Sequence, residues 1–108
     1  MRFDHVALTV PKGKISETIS WYIDNMSASK IYEDETWGLI ACNGIKIAFV
    51  IPEQHPPHVA FTLTQSEYDS FKSKGKEFKK HRDGSESFYE KDCQGNMLEY
   101  LFWPKKTG

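Results

Sequence analysis

Apolar and polar residues alternate from the start of the chain. Across residues 3–10, Val6, Leu8 and Val10 fall on one side of an extended strand, with His5, Ala7 and Thr9 on the other. Pro11 and Gly13 stop that strand. The period then changes. Ile15, Ile19, Tyr22, Ile23 and Met26 recur at helical spacing, which predicts an amphipathic helix over about 14–27. "KIYED" and "TWGLIAC" predict two short strands around an acidic turn. Asn43-Gly44 is a strong hairpin signal, because both residues tolerate the backbone of a tight two-residue turn. Ile45, Ile47, Phe49 and Ile51 then share one face of a further strand.

The prolines of "PEQHPPH" at 52–58 interrupt the pattern and predict a linker. "HVAFTL" at 58–63 resumes it as a strand. Thr64 and Glu67 have the spacing of a capping box, so a helix should start there, run to about Lys74 and end at Gly75. "KEFKKHRDG" predicts a short edge strand and a loop, "SESFYEKD" a strand, "CQGN" a turn and "MLEYLFW" a last strand. The order is β-α-β-β-β, a linker, then β-α-β-β-β again. "HVALTV" at 5–10 returns almost unchanged as "HVAFTL". Ser16-Glu17 matches Ser66-Glu67, Trp21 matches Phe71, and Gly44 matches Gly95, at a nearly constant offset. The chain therefore reads as a duplication of one supersecondary unit. The expected class is α+β, in one domain over 1–108, with module one at about 1–52 and module two at about 57–104.

Composition narrows the classes of function. A formal net charge of −1 offers no basic field for nucleic acid or for an anionic membrane. The lysines between Lys72 and Lys80 read as a solvated helix end and loop. "IAFVI" at 47–51 is too short to span a bilayer, and the N-terminus has no signal-like apolar segment. Cys42 and Cys93 make no disulfide framework, which suits a reducing compartment. The expectation is a soluble cytoplasmic protein with a small-molecule partner.

Chemistry enters through the polar side of the first strands. If the helix covers Val6, Leu8 and Val10, then His5, Ala7 and Thr9 face away from it. His58, Ala60 and Thr62 do the same in the second half. In the last strand Leu98, Tyr100 and Phe102 take the helix side, which leaves Met97, Glu99 and Leu101 on the side of the histidines. A carboxylate there is costly to bury without a partner. Two neutral imidazoles and one carboxylate suit a divalent transition metal, with Zn, Mn, Fe, Co or Ni all compatible. Each residue also has a plainer reading: a hydrogen-bonded strand histidine, or a solubilising edge charge. The coincidence of His5, His58 and Glu99 on one expected face is what favours a site.

"FDHVALTV", the helix with "WY", "PPHVAFTL" and "SFYEKDCQGNMLEYL" together resemble the vicinal oxygen chelate superfamily. That superfamily holds glyoxalase I, fosfomycin-resistance enzymes, extradiol dioxygenases, methylmalonyl-CoA epimerase and bleomycin-binding proteins. The resemblance spans nearly the whole chain. It implies a glyoxalase-like pair of βαβββ modules curled into a cup-shaped half-barrel. It makes His5, His58 and Glu99 the metal ligands. It also implies a homodimer with sites at or near the subunit interface, which agrees with sheet edges that need pairing.

The departures from the superfamily pattern refine the expected chemistry. Glyoxalase I-like sites take a fourth ligand where this chain has Ala48. Fosfomycin-type thiol transferases carry a threonine where it has Ala7. Ser87 and Tyr89 match positions that touch substrate in the fosfomycin-resistance pattern. Cys93 stands where a proline is usual and reads as a small apolar filler. The resemblance thus implies a metal-dependent lyase or transferase that chelates two vicinal oxygens. An extradiol-type Fe(II) dioxygenase and a metal-free bleomycin-resistance-like binder are the alternatives. Glu35 and Tyr89 are candidates to move a proton. Lys46, expected on the cavity face, and Arg82 are candidates to pair with an anionic substrate. His55 and His81 read as surface residues.

Overall fold

The computed structural model describes residues 1–104. Its elements follow the expected order: β1 (Arg2–Thr9), α1 (Ile15–Met26), β2 (Ser29–Glu33), β3 (Trp37–Cys42) and β4 (Ile45–Val50), then β5 (His58–Thr62), α2 (Gln65–Ser73), β6 (Lys79–Lys80), β7 (Glu86–Lys91) and β8 (Met97–Phe102). The fold is α+β, a tandem of two βαβββ modules. Hydrogen-bonded neighbours run in the order β2-β3-β4-β1-β5-β8-β7-β6. The chain divides into two compact units, one of His5–Val59 and one of Met1–Asp4 with the residues from Ala60 onward. No helix among the described residues is long and apolar enough to cross a membrane.

In the unit His5–Val59, β4 pairs in parallel with β1 and antiparallel with β3, and β3 pairs antiparallel with β2. The hairpin between β3 and β4 is closed by Asn43 at φ 50° and Gly44 at φ 81°, the left-handed pair that a type I′ turn requires. The helical spacing of Ile15 and Ile19 places both against Ile40, Cys42, Ile47, Phe49 and Ile51. Burying a side chain such as Phe49 contributes roughly 1.5–3 kcal/mol. The approach is close at Gly38. A Cβ there would lie 2.7 Å from Ile19 Cδ1 and 3.1 Å from Ile15 Cγ2.

Alternation placed Val6 and Val10 correctly with the α1 core but misjudged Leu8. Leu8, expected under the helix, is 38% exposed, while Ala7, on the opposite face, is fully buried. Helix α1 lies closest to β2 and β3, so it leaves Leu8 uncovered. Ala7 pairs with Ala48, and Ala48 pairs with Leu39. With Val50 these residues form a second buried cluster on the face away from α1.

In the other unit, α2 starts with the expected capping box. Thr64 Oγ1 accepts from the Glu67 N–H, and the Glu67 carboxylate accepts from the Thr64 N–H. The helix covers Leu63, Phe88, Tyr100 and Phe102, with Tyr68 stacked on Phe102 at 3.9 Å between ring centroids. Glu86 is buried on that side and accepts a 2.7 Å hydrogen bond from the Tyr68 hydroxyl, which satisfies its polarity. β7 pairs antiparallel with β8 and with the two-residue strand β6. Lys79 and Lys80 make up that short strand, and such charges guard a sheet edge against further pairing. Asp92 closes the β7–β8 turn by accepting from the N–H groups of Gln94 and Asn96. Cys93 in this turn is exposed, so it is not the buried filler expected of it, whereas Cys42 is buried.

Candidate metal centre

His5 lies on β1, on the face that also carries Ala7 and Thr9. Its register partner on β4 is Lys46, so both side chains leave the sheet on the same side. His58 opens β5 directly after Pro56 and Pro57, and it is 7% exposed. Its Nδ1 lies 2.9 Å from the Pro56 carbonyl oxygen. A carbonyl only accepts, so Nδ1 carries the proton and, in the neutral ring, Nε2 carries the lone pair. The rings of His5 and His58 stand edge to face, 5.7 Å between centroids.

Glu99 lies on β8, and its neighbours Leu98 and Tyr100 turn to the α2 side. It is 7% exposed. Its register partner is Tyr89 on β7. The Tyr89 hydroxyl is hydrogen-bonded to the Glu99 carboxylate. Burial, then the carboxylate's charge and that hydrogen bond, push the Tyr89 hydroxyl far above its ordinary pKa, so it keeps its proton at neutral pH.

His5, His58 and Glu99 each offer one ligand atom, and these atoms lie within 4.8 Å of one another. Acidic groups at a surface gather without any ion. This carboxylate is instead buried, beside one buried imidazole and one half-buried one. Two imidazole nitrogens and a carboxylate oxygen at such separations fit a divalent transition metal with coordination positions to spare.

The other expected site residues are placed as follows. Ser87 is 2% exposed and lies on the same face of β7 as Tyr89. Its Oγ is 2.7 Å from His81 Nε2. His81 is exposed, as expected of its loop, and its ring also reaches Ser87. Arg82, next to it, is exposed. Lys46 is exposed on the face of His5. Glu35 is exposed in the β2–β3 turn, and its neighbour Asp34 organises that turn by accepting from Thr36 and Trp37 N–H and from the Tyr32 hydroxyl. Sequence reasoning missed the Pro56 carbonyl, the Tyr89–Glu99 bond and the His81–Ser87 bond. Alternation along β7 puts Ser87 and Tyr89 on one side, and that was the only available hint.

No protein-family model matches the sequence, and no curated protein matches it. Solved structures do. A glyoxalase/bleomycin resistance protein/dioxygenase superfamily member from Vibrio splendidus is 13% identical, with a TM-score of 0.68 over 94% of this chain and 97% of that one. Methylmalonyl-CoA epimerase from Streptomyces coelicolor is 11% identical, with a TM-score of 0.64 over 97% of this chain and 99% of its own. A Mn(II)-bound glyoxalase from Novosphingobium aromaticivorans is 19% identical, with a TM-score of 0.65 over 93% of this chain but 37% of its own. The chain has the glyoxalase-like fold.

A glyoxalase-like fold hosts several chemistries, so the likeness carries architecture and leaves the reaction to the site. Within it, Ala48 is packed against Ala7 and Leu39 and has no donor atom to offer. Among the described residues, the side chains that gather as a possible ligand group are those of His5, His58 and Glu99.

Proposed function

We propose that this chain is a small metal-dependent enzyme in which His5, His58 and Glu99 hold a divalent transition metal, drawn from Zn, Mn, Fe, Co or Ni. The observation that supports this most is the approach of their three ligand atoms to within 4.8 Å, with Glu99 and His58 buried. When bound, such a metal acts as a Lewis acid on two vicinal oxygens of a small substrate and stabilises developing negative charge.

The chain's own residues prepare that role. The Pro56 carbonyl holds the His58 ring in the tautomer that presents Nε2 as a donor atom. The Tyr89 hydroxyl holds the Glu99 carboxylate. Because Tyr89 keeps its proton, it suits hydrogen-bond donation better than the role of base. Ser87, oriented by His81, lies on the same strand face and suits a substrate contact. Glu35 stays a candidate to move a proton, and Arg82 a candidate to pair with substrate. The reaction expected of such a centre is a lyase or transferase step.

Metal analysis of purified protein tests this reading. Apo-protein reconstituted with each metal in turn should retain one equivalent after gel filtration, and His58→Ala should not. If the wild type retains none, the alternative of a metal-free binding protein takes its place. Oxygen uptake by Fe(II)-loaded protein with catechols would instead identify a dioxygenase.

A further inference from the structure

Resting on that metal centre, we propose that the substrate carries an oxyanion, a carboxylate or a phosphonate-type group, beside its metal-chelating oxygens, and that Lys46 recognises it. Lys46 is the register partner of His5 on the adjoining parallel strand. Adjacent strands lie about 4.8 Å apart and paired residues leave on the same face, so the Lys46 side chain rises from the sheet beside that of His5, within reach of a group bound there. The next positions across the same row are Ala41 and Ser29, both small. They leave the lysine stem uncovered, and Lys46 is exposed. Among the described residues no carboxylate forms an ion pair with it.

The charge balance gives this placement a consequence. One carboxylate and two neutral imidazoles offset only part of a divalent ion's charge. An ammonium beside them raises the positive potential further and opposes cation binding. A residue that only supported metal binding would be neutral or acidic here. The lysine becomes favourable when an anion joins the site, because that anion meets both the metal and the ammonium. Arg82 is the competing cation, but no pairing places it beside a ligand.

Zinc-loaded protein allows the test without redox chemistry. Calorimetry would compare 3,4-dihydroxybenzoate and 3,4-dihydroxyphenylphosphonate with the neutral 3,4-dihydroxybenzamide, three probes with the same chelating end. Wild type should bind the anionic probes about tenfold more tightly than the amide, and the stronger of the two names the oxyanion class. Lys46→Met should abolish the preference, Lys46→Arg should keep most of it, and Lys12→Met, which removes a remote exposed lysine, should keep all of it. The apo Lys46→Met protein should also bind Zn(II) severalfold more tightly, which a misfolded or loosened site would not do. An undiminished preference in Lys46→Met, or a loss of zinc affinity in it, overturns the inference while leaving the metal centre standing. If wild type takes up no zinc, the metal centre itself fails and the inference with it.

Discussion

The imidazole Nδ1 of His58 lies 2.9 Å from the carbonyl oxygen of Pro56, two residues earlier in the chain. A single backbone acceptor thus selects the tautomer of a buried histidine. Replacing His58 by Ala should lower affinity for a divalent metal by more than about a hundredfold, since second-shell losses alone cost roughly ten- to a hundredfold. Titration of apo-protein against a chromogenic chelator measures this directly. Equal affinity in the variant would remove His58 from the ligand set.

Tyr89→Phe isolates the hydrogen bond to Glu99 while keeping the ring. Metal affinity should fall by roughly tenfold with little change in stability. The same chelator competition, run beside a urea unfolding curve, separates the two effects. Unaltered metal affinity would show that the Glu99 carboxylate needs no help from Tyr89.

Acid should act on the β2–β3 turn. The Tyr32 hydroxyl, followed by the Thr36 N–H, holds the Asp34 carboxyl down at about 2. A depressed folded-state pKa contributes stability above the unfolded value of about 3.9, and that contribution disappears as pH falls through the folded value. Asp34→Asn should therefore be less stable than wild type at pH 6, with the difference shrinking between about pH 4 and pH 2. Urea midpoints of both proteins at pH 6, 4 and 2 are the measurement. A gap that stays constant across that range would assign the effect to something other than this charge.

Gly38→Ala pushes a methyl group to 2.7 Å from Ile19 Cδ1 and 3.1 Å from Ile15 Cγ2. Overpacking of this kind costs roughly 1–3 kcal/mol, even though the Ile19 terminus can yield a little. Gly38→Val should cost more. Chemical denaturation quantifies both, and a neutral Gly38→Val would mean that α1 moves away freely.

Much of the molecule was legible in the chain. The helical spacing of Ile15 and Ile19, the Asn43-Gly44 pair and the Thr64/Glu67 box encode local geometry, so each produced the expected element. The repeated "HVALTV" and "HVAFTL" marked the start of each module. Leu8 and Ala7 show where this reasoning stops. Alternation separates two faces of a strand but does not say which face is covered, and a helix set over β2 and β3 left Leu8 open. His81 shows the same limit. Nothing in a basic loop announces that an exposed imidazole there bonds to the buried Ser87.

By itself the sequence determined the order of elements and the duplication, and it singled out three candidate donor residues. Each of those depends on spacings of a few residues, which backbone geometry converts directly into faces and turns. Only the tertiary structure decided that Lys46 stands beside His5, that Tyr89 holds Glu99 and that Pro56 holds His58. The first depends on register between strands far apart in the chain and the second on register across the β7–β8 hairpin, and a one-residue slip would turn every such side chain to the other face. The third depends on the path of a proline-bound backbone, because a hydrogen bond demands placement to within a few tenths of an ångström.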